Sequence, residues 1–233
     1  MAGRSWAVVI TAAASALVAA GALIASAMLR DSGVTTAETT VSTTATTPGV
    51  GMDGCLGEKC TVLATLPVGD TMVELVAEAD GTAGRLRIGG AGSSEVIELT
   101  VTKLGAALTT ESLRCVADSL SACLVGGPYS QGYAAEVVVG RSAQWSEITE
   151  PFLSDAGFVT LANVTADPGA EVLTAQHRCD PQVTADCATT PVFVRVHNLR
   201  HQELGCTRTY ARLDALPGWP TVTLRSTDLK PCA

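Results

Sequence analysis

Cysteine is the residue type whose number and spacing say most about chemistry in this 233-residue chain. There are eight: Cys55, Cys60, Cys115, Cys123, Cys179, Cys187, Cys206 and Cys232. No two are separated by two residues, so neither a zinc ribbon nor a C-x-x-C redox motif is supported. An even count behind an apolar, export-type N-terminus predicts disulfides instead. Many connectivities are open to eight cysteines, and local pairing is the expectation: Cys55 with Cys60, Cys115 with Cys123, Cys179 with Cys187, and Cys206 with Cys232. Arg114-Cys115 with Cys123, and Arg178-Cys179 with Cys187, share one spacing and lie 64 residues apart. An apolar stretch precedes each pair and a β-rich run follows it, which predicts a degenerate internal repeat with each pair clipping a hairpin or loop.

Other candidate chemistry is thinner. Zinc requires three or four ligands, whereas His197 and His201 are four residues apart and His177 is remote. On a β pattern, His197 ends a strand and His201 falls in the following turn, so the two are expected to stay apart as turn histidines. Gly90-Ala91-Gly92-Ser93-Ser94 is not a G-x-S-x-G nucleophile elbow and reads as a turn. Glu98, Glu136 and Glu147 lie in or beside strands, and their order in sequence does not establish a glycosidase pair. Trp145, Trp219 and Tyr210 are expected to pack at the core or a sheet edge, because aromatics are too scarce for a stacked sugar platform. No catalytic residue is assigned.

One loop carries a local resemblance. Asn163-Val164-Thr165-Ala166-Asp167-Pro168-Gly169-Ala170-Glu171-Val172 lies between two predicted strands and resembles the calcium loop of FG-GAP-type blade repeats, D-x-D-x-D-G-x-x-E/D. The resemblance covers ten residues and implies Asn163, Thr165, Asp167 and Glu171 as oxygen ligands. Asn163 and Thr165 replace carboxylates, and Pro168 displaces the glycine by one. Calcium takes six to eight oxygens, and two carboxylates are few. The expectation is a strand connection that has lost the ion, with no cofactor and calcium as the alternative.

The elements that must position these groups read as β. Period-2 or short apolar runs occur at 61–66, 72–77, 84–88, 96–101, 122–125, 136–139, 158–161, 171–175, 192–196 and 221–224. Gly, Asp, Pro and Ser clusters separate them. Helical patterning is confined to 146–154 and 209–216. The predicted class is mainly β, an antiparallel sandwich or blade-like domain with disulfides.

The N-terminus sets the expected topology. Residues 7–29 are 23 uncharged residues, a helix of about 35 Å against a hydrocarbon core of about 30 Å. Arg4 precedes this run and Arg30-Asp31 follows it, which predicts a cytoplasmic N-terminus at 1–6, a single span and an exported remainder. Ala25-Ser26-Ala27 provides the alternative of a cleaved secretory signal. Residues 30–52 form a Thr-rich linker that cannot build a core, leaving 53–233 as the extracytoplasmic domain. Arg4, Arg30, Asp31 and Glu38 cancel, so the net charge of −8 belongs to that domain. With Lys59, Lys103 and Lys230 the only lysines, no basic run exists to bind nucleic acid.

In composition the chain is similar to exported or membrane-anchored proteins of actinobacteria: Ala-rich, Arg above Lys, with a Thr-rich stalk. That similarity implies cell-envelope residence and carries no activity. The expected function is a non-catalytic, membrane-anchored binding or structural protein whose partner is an envelope protein or glycan. The alternative is an extracytoplasmic hydrolase with carboxylate or metal chemistry in its loops.

Overall fold

Short alternating runs punctuated by glycine and aspartate should fold as strand meanders, and the computed structural model has that form. It describes residues 60–90, 95–141, 144–165, 167–180 and 187–232. The apolar run at 7–29, the linker at 30–52, Cys55 and residues 91–94 lie outside the described residues. All described residues belong to one compact unit, Gly49–Ala233.

Three antiparallel sheets follow one another along the chain. The first is β1 (Thr61–Val68), β2 (Thr71–Ala77), β3 (Gly84–Ile88) and β4 (Glu95–Glu98). The second is β5 (Leu113–Val116), β6 (Ser121–Tyr129), β7 (Gly132–Arg141) and β8 (Gln144–Glu147), with β9 (Phe152–Ser154) also paired to β7. The third is β10 (Val159–Ala162), β11 (Glu171–His177), β12 (Val192–His197) and β13 (Glu203–Cys206). Each is a meander in chain order, and β5 lies against both β1 and β10, the first strands of the other sheets.

Side-chain alternation explains how the sheets pack. Cys123, Val125, Ala134 and Val138 face Val73, Leu75, Leu86 and Ile88 of the first sheet. The intervening Ala122, Leu124, Ala135 and Val137 face Val159 and Val172 of the third, together with Phe152. The central strands β6 and β7 are therefore buried on both faces, and their sequences read as continuous apolar runs rather than as alternation. On the far side of the third sheet, Leu173, Ala175, Val194 and Val196 are covered by Leu216, Val222 and Leu224 of the irregular C-terminal segment.

Several local expectations need correction. Residues 146–154 form no helix. They contribute the end of β8 and all of β9, two pieces of one edge strand broken at Pro151, which has no N–H for the ladder. In 209–216 only Leu213–Ala215 makes a single 3-10 turn. The 96–101 run stops as strand at Glu98, and Val101–Leu104 is a 3-10 turn closed by Gly105 at φ +86°. Residues 221–224 form no strand; Val222 and Leu224 act as core side chains. Strands β5 and β13 went unpredicted because each is four residues interrupted by charge or glycine, Leu113-Arg114-Cys115-Val116 and Glu203-Leu204-Gly205-Cys206.

Three predicted disulfides are present: Cys115–Cys123, Cys179–Cys187 and Cys206–Cys232. Cys60 is disulfide-bonded as well. Cys115 and Cys123 are direct cross-strand partners in the β5–β6 hairpin, with Cα atoms 4.0 Å apart. Cys179–Cys187 closes the connection between β11 and β12. The two eight-residue clips thus occupy different joints, the first after a first strand and the second after a second strand. The 64-residue cysteine repeat is not a structural repeat; what recurs is the four-strand meander. Cys206–Cys232 ties β13 to the C-terminal segment beside the paired backbones of Cys206 and Lys230.

Candidate functional site

A carboxylate inside a sheet is stable only where donors surround it, and among the described residues two buried glutamates meet that condition. Glu136 of β7 is 5% exposed. Its oxygens accept the Thr100 N–H at 3.0 and 2.9 Å, the Val101 N–H at 3.0 Å and the Thr100 hydroxyl. Glu171, at the start of β11, accepts the Val164 N–H at 2.7 Å, the Thr165 N–H at 3.4 Å and the Thr165 hydroxyl. In both cases one glutamate clamps the first N–H groups of a threonine-containing turn.

This geometry bears directly on the calcium-like loop. Glu171 is buried, Thr165 half-buried, and Asn163 and Asp167 are exposed. The Glu171 carboxylate holds the loop by hydrogen bonds of the kind a backbone turn offers an anion, and Thr165 gives its hydroxyl to that carboxylate. Millimolar calcium is accordingly expected to raise the melting temperature by no more than about 1–2 °C, given that a ligand near its own dissociation constant contributes about 0.4 kcal/mol. A rise above about 5 °C in differential scanning calorimetry would establish an ion site there. Among the described residues, one group of three metal-type side chains converges: Glu203, Cys206 and Cys232. Both sulfurs are bonded to each other, so the group offers no thiolate.

The histidines depart from expectation. His197 and His201 do come together, with ring centroids 5.4 Å apart, and both rings rest on Phe152 at 5.6 and 4.4 Å. The turn that achieves this is tightly bonded: the Asn198 side-chain oxygen accepts from the N–H groups of Arg200 and Gln202. His201 itself takes φ +62°, a left-handed conformation uncommon outside glycine, for which histidine is, with asparagine and aspartate, among the more tolerant residues. Burial, with the nearby charges of His201 and Arg195, pushes the His197 imidazole below its ordinary range, and Glu203 opposes the shift.

A cleft of about 1210 Å³ opens between the second and third sheets. Strand β8 and Ile148-Thr149 form one wall; residues 167–171 and 198–200 form the other. Charged side chains of both signs reach it, Arg141 and Arg200 against Glu147 and Asp167. Trp145 lies along this wall with its indole packed over Gly140, where a Cβ would meet ring carbons at 2.7–2.9 Å. Its backbone N–H donates to Glu95 Oε1 at 3.2 Å, so a carboxylate from β4 caps that part of the β8 edge.

A second pocket of about 590 Å³ lies beneath the third sheet, lined by His177, Thr190, Arg212 and Trp219 among others. His177 Nδ1 is 3.6 Å from Asp155 Oδ1, and the Thr190 hydroxyl donates to the Cys187 carbonyl. Trp219 leans on Phe158 and is 38% exposed, whereas Tyr210 is half-buried in the C-terminal core with Arg208 over its ring. Glu98 is bound to Arg85 on the first sheet. The residues that sequence reasoning missed are therefore the cleft arginines, Arg141 and Arg200, and the anchoring role of Glu136. Only its run of apolar neighbours, Ala134 to Val139, could have flagged Glu136 as buried.

No protein-family model, no curated protein and no solved structure matches this chain.

Proposed function

We propose that the chain is a non-catalytic binding protein of the cell envelope, and that the cleft between the second and third sheets is its ligand seat. One observation carries this: the two buried carboxylates, the groups best suited to acid–base chemistry, have their oxygens taken by the chain's own N–H and hydroxyl donors. What remains around the cleft is a set of exposed charges of both signs, Arg141, Glu147, Asp167 and Arg200, on strands and bonded turns, which suits recognition of a polar ligand. The partner is an envelope protein or glycan. Four-strand meanders with adjacent first strands favour a blade-like arrangement over a sandwich. Support for an extracytoplasmic location comes from the apolar run at 7–29, the Thr-rich linker and the oxidised cysteines.

The alternative of a hydrolase has one observation in its favour, the His177 and Asp155 side chains beside Thr190. At 3.6 Å their contact exceeds hydrogen-bond length, and the threonine hydroxyl is already committed.

The test uses the full chain with its disulfides intact, added to purified cell-wall glycan and to membrane fractions. Saturable binding that falls roughly tenfold or more in Arg141→Glu/Arg200→Glu, with no product released, is the expected result. Release of soluble fragments that His177→Ala abolishes would replace binding with hydrolysis. A C-terminal reporter active only in the cytoplasm would overturn the proposed topology.

A further inference from the structure

The connection between β8 and β9 belongs to the second sheet, and the turn between β12 and β13 to the third. The His197–His201 pair joins them. Residues on either side of this junction, Ile148-Thr149 and Asn198-Leu199-Arg200, are walls of the cleft. The junction is held by two aromatic-type rings on Phe152 rather than by a backbone ladder. His197 Nδ1 and His201 Nε2 are both buried without a hydrogen-bond partner. His201 Nδ1 lies 3.5 Å from Glu150 Oε2. Arg195 from β12 and Glu203 from β13 are the other charged groups facing the pair, and their side chains are 3.3 Å apart.

We propose that this histidine pair is a proton-operated latch, and that acidification releases the β12–β13 turn from Phe152 and so opens the cleft. The proposal rests on the cleft being the ligand seat. With both rings neutral, the pair stacks on Phe152 at little electrostatic cost. A proton on His197 meets His201 and Arg195, while Glu203 is already engaged by Arg195. A charged His197 ring, half-buried and close to Arg195, loses hydration and is repelled. Swinging the turn into water relieves both effects and carries Asn198, Leu199 and Arg200 away from β8. The sign follows from the depressed His197 value: the contribution of the neutral ring is fully present above its unfolded pKa of 6.5 and is lost as the pH falls through the lower folded value.

Amide hydrogen exchange on the full, oxidised chain tests the latch without any ligand. Protection factors at 148–150 and 198–202 are expected to drop severalfold between about pH 7.5 and 5, the fall setting in below about 6.5, while β6 and β7 stay protected. His201→Asn, which accepts the left-handed backbone but carries no proton, should flatten that step. His197→Phe, which fills the same space beside Phe152, should do so too. A wild-type profile without the step, or an unchanged step in both variants, would overturn the latch. Binding to the cell-wall glycan or membrane fraction is then compared at the two pH values. Equal binding at both, with the exchange step present, would overturn control of the cleft. Absence of binding at both, with the step intact, would overturn the ligand-seat proposal by itself.

Discussion

Reduction of the disulfides is expected to unfold this domain at temperatures where the oxidised protein is fully folded. In the chain-entropy model the two eight-residue clips contribute about 2.5 kcal/mol each, and the Cys206–Cys232 closure about 3.5 kcal/mol. The combined figure of about 8.5 kcal/mol is comparable to the whole stability of an ordinary domain, about 5–15 kcal/mol. Cys206–Cys232 has the largest single effect for a structural reason as well. The segment it tethers supplies Leu216, Val222 and Leu224 to the core of the third sheet. That segment has no strand of its own and is held by short backbone bridges such as Val192 with Tyr210. A Cys206→Ala/Cys232→Ala variant should melt about 7–14 °C lower in calorimetry. A reduced protein that keeps a cooperative transition within a few degrees of the oxidised one would show that packing alone holds the sheets. Non-reducing peptide mapping that crossed any of the three pairs would overturn the connectivity itself.

Glu136→Ala is expected to be as damaging as truncation of a core side chain. It removes the acceptor for two backbone N–H groups and a hydroxyl at the turn of Val101–Leu104, where Val101 is fully buried. Unmet donors in such a place cost about 3–4 kcal/mol together, or about 8–12 °C in melting temperature. Glu136→Gln keeps one acceptor oxygen but turns an NH₂ toward the remaining donors, so it should lose about half as much. Glu98→Ala is the control: its side chain is 69% exposed in a surface ion pair, and such pairs contribute about 0–1 kcal/mol. Equal melting shifts for the Glu136 and Glu98 variants would show that the clamp has no structural role. Chemical denaturation with an unchanged m-value would confirm that the loss lies in stability rather than in the compactness of either state.

The strands and three of the disulfides were legible from sequence because the forces that specify them are local. Alternation in 84–88 and 192–196 matches the pleat of β3 and β12, and Asp80-Gly81 and Gly89-Gly90 mark where the chain must leave a strand. Cysteines eight residues apart close small loops at little entropic cost, so pairing near neighbours was the economical expectation. Where an element owed its form to distant residues, the local signal misled. The polar 146–154 run has a helix-like spacing of Glu147 and Glu150, yet it pairs as β8 and β9 because β7 presents a free edge and Pro151 bars helix continuation.

The candidate site was less legible. Glu171 could be picked out in its loop, since its partners Val164 and Thr165 lie six or seven residues away. Glu136 could not, because its partners are 35 and 36 residues distant and belong to the turn that follows another sheet. His197 and His201 were expected apart, since a strand end followed by a turn lacks the helical geometry that brings residues four apart together. A single left-handed residue, His201 at φ +62°, reverses that geometry and lays both rings on Phe152. The cleft has no linear trace at all. Arg141, Asp167 and Arg200 are scattered along the sequence and meet only because the second and third sheets pack face to face. Local backbone preference and short-loop entropy determined the strands and disulfides from sequence alone; which charges, rings and carboxylates share a site was decided by how the sheets stack, and that depends on burying apolar faces drawn from the whole domain.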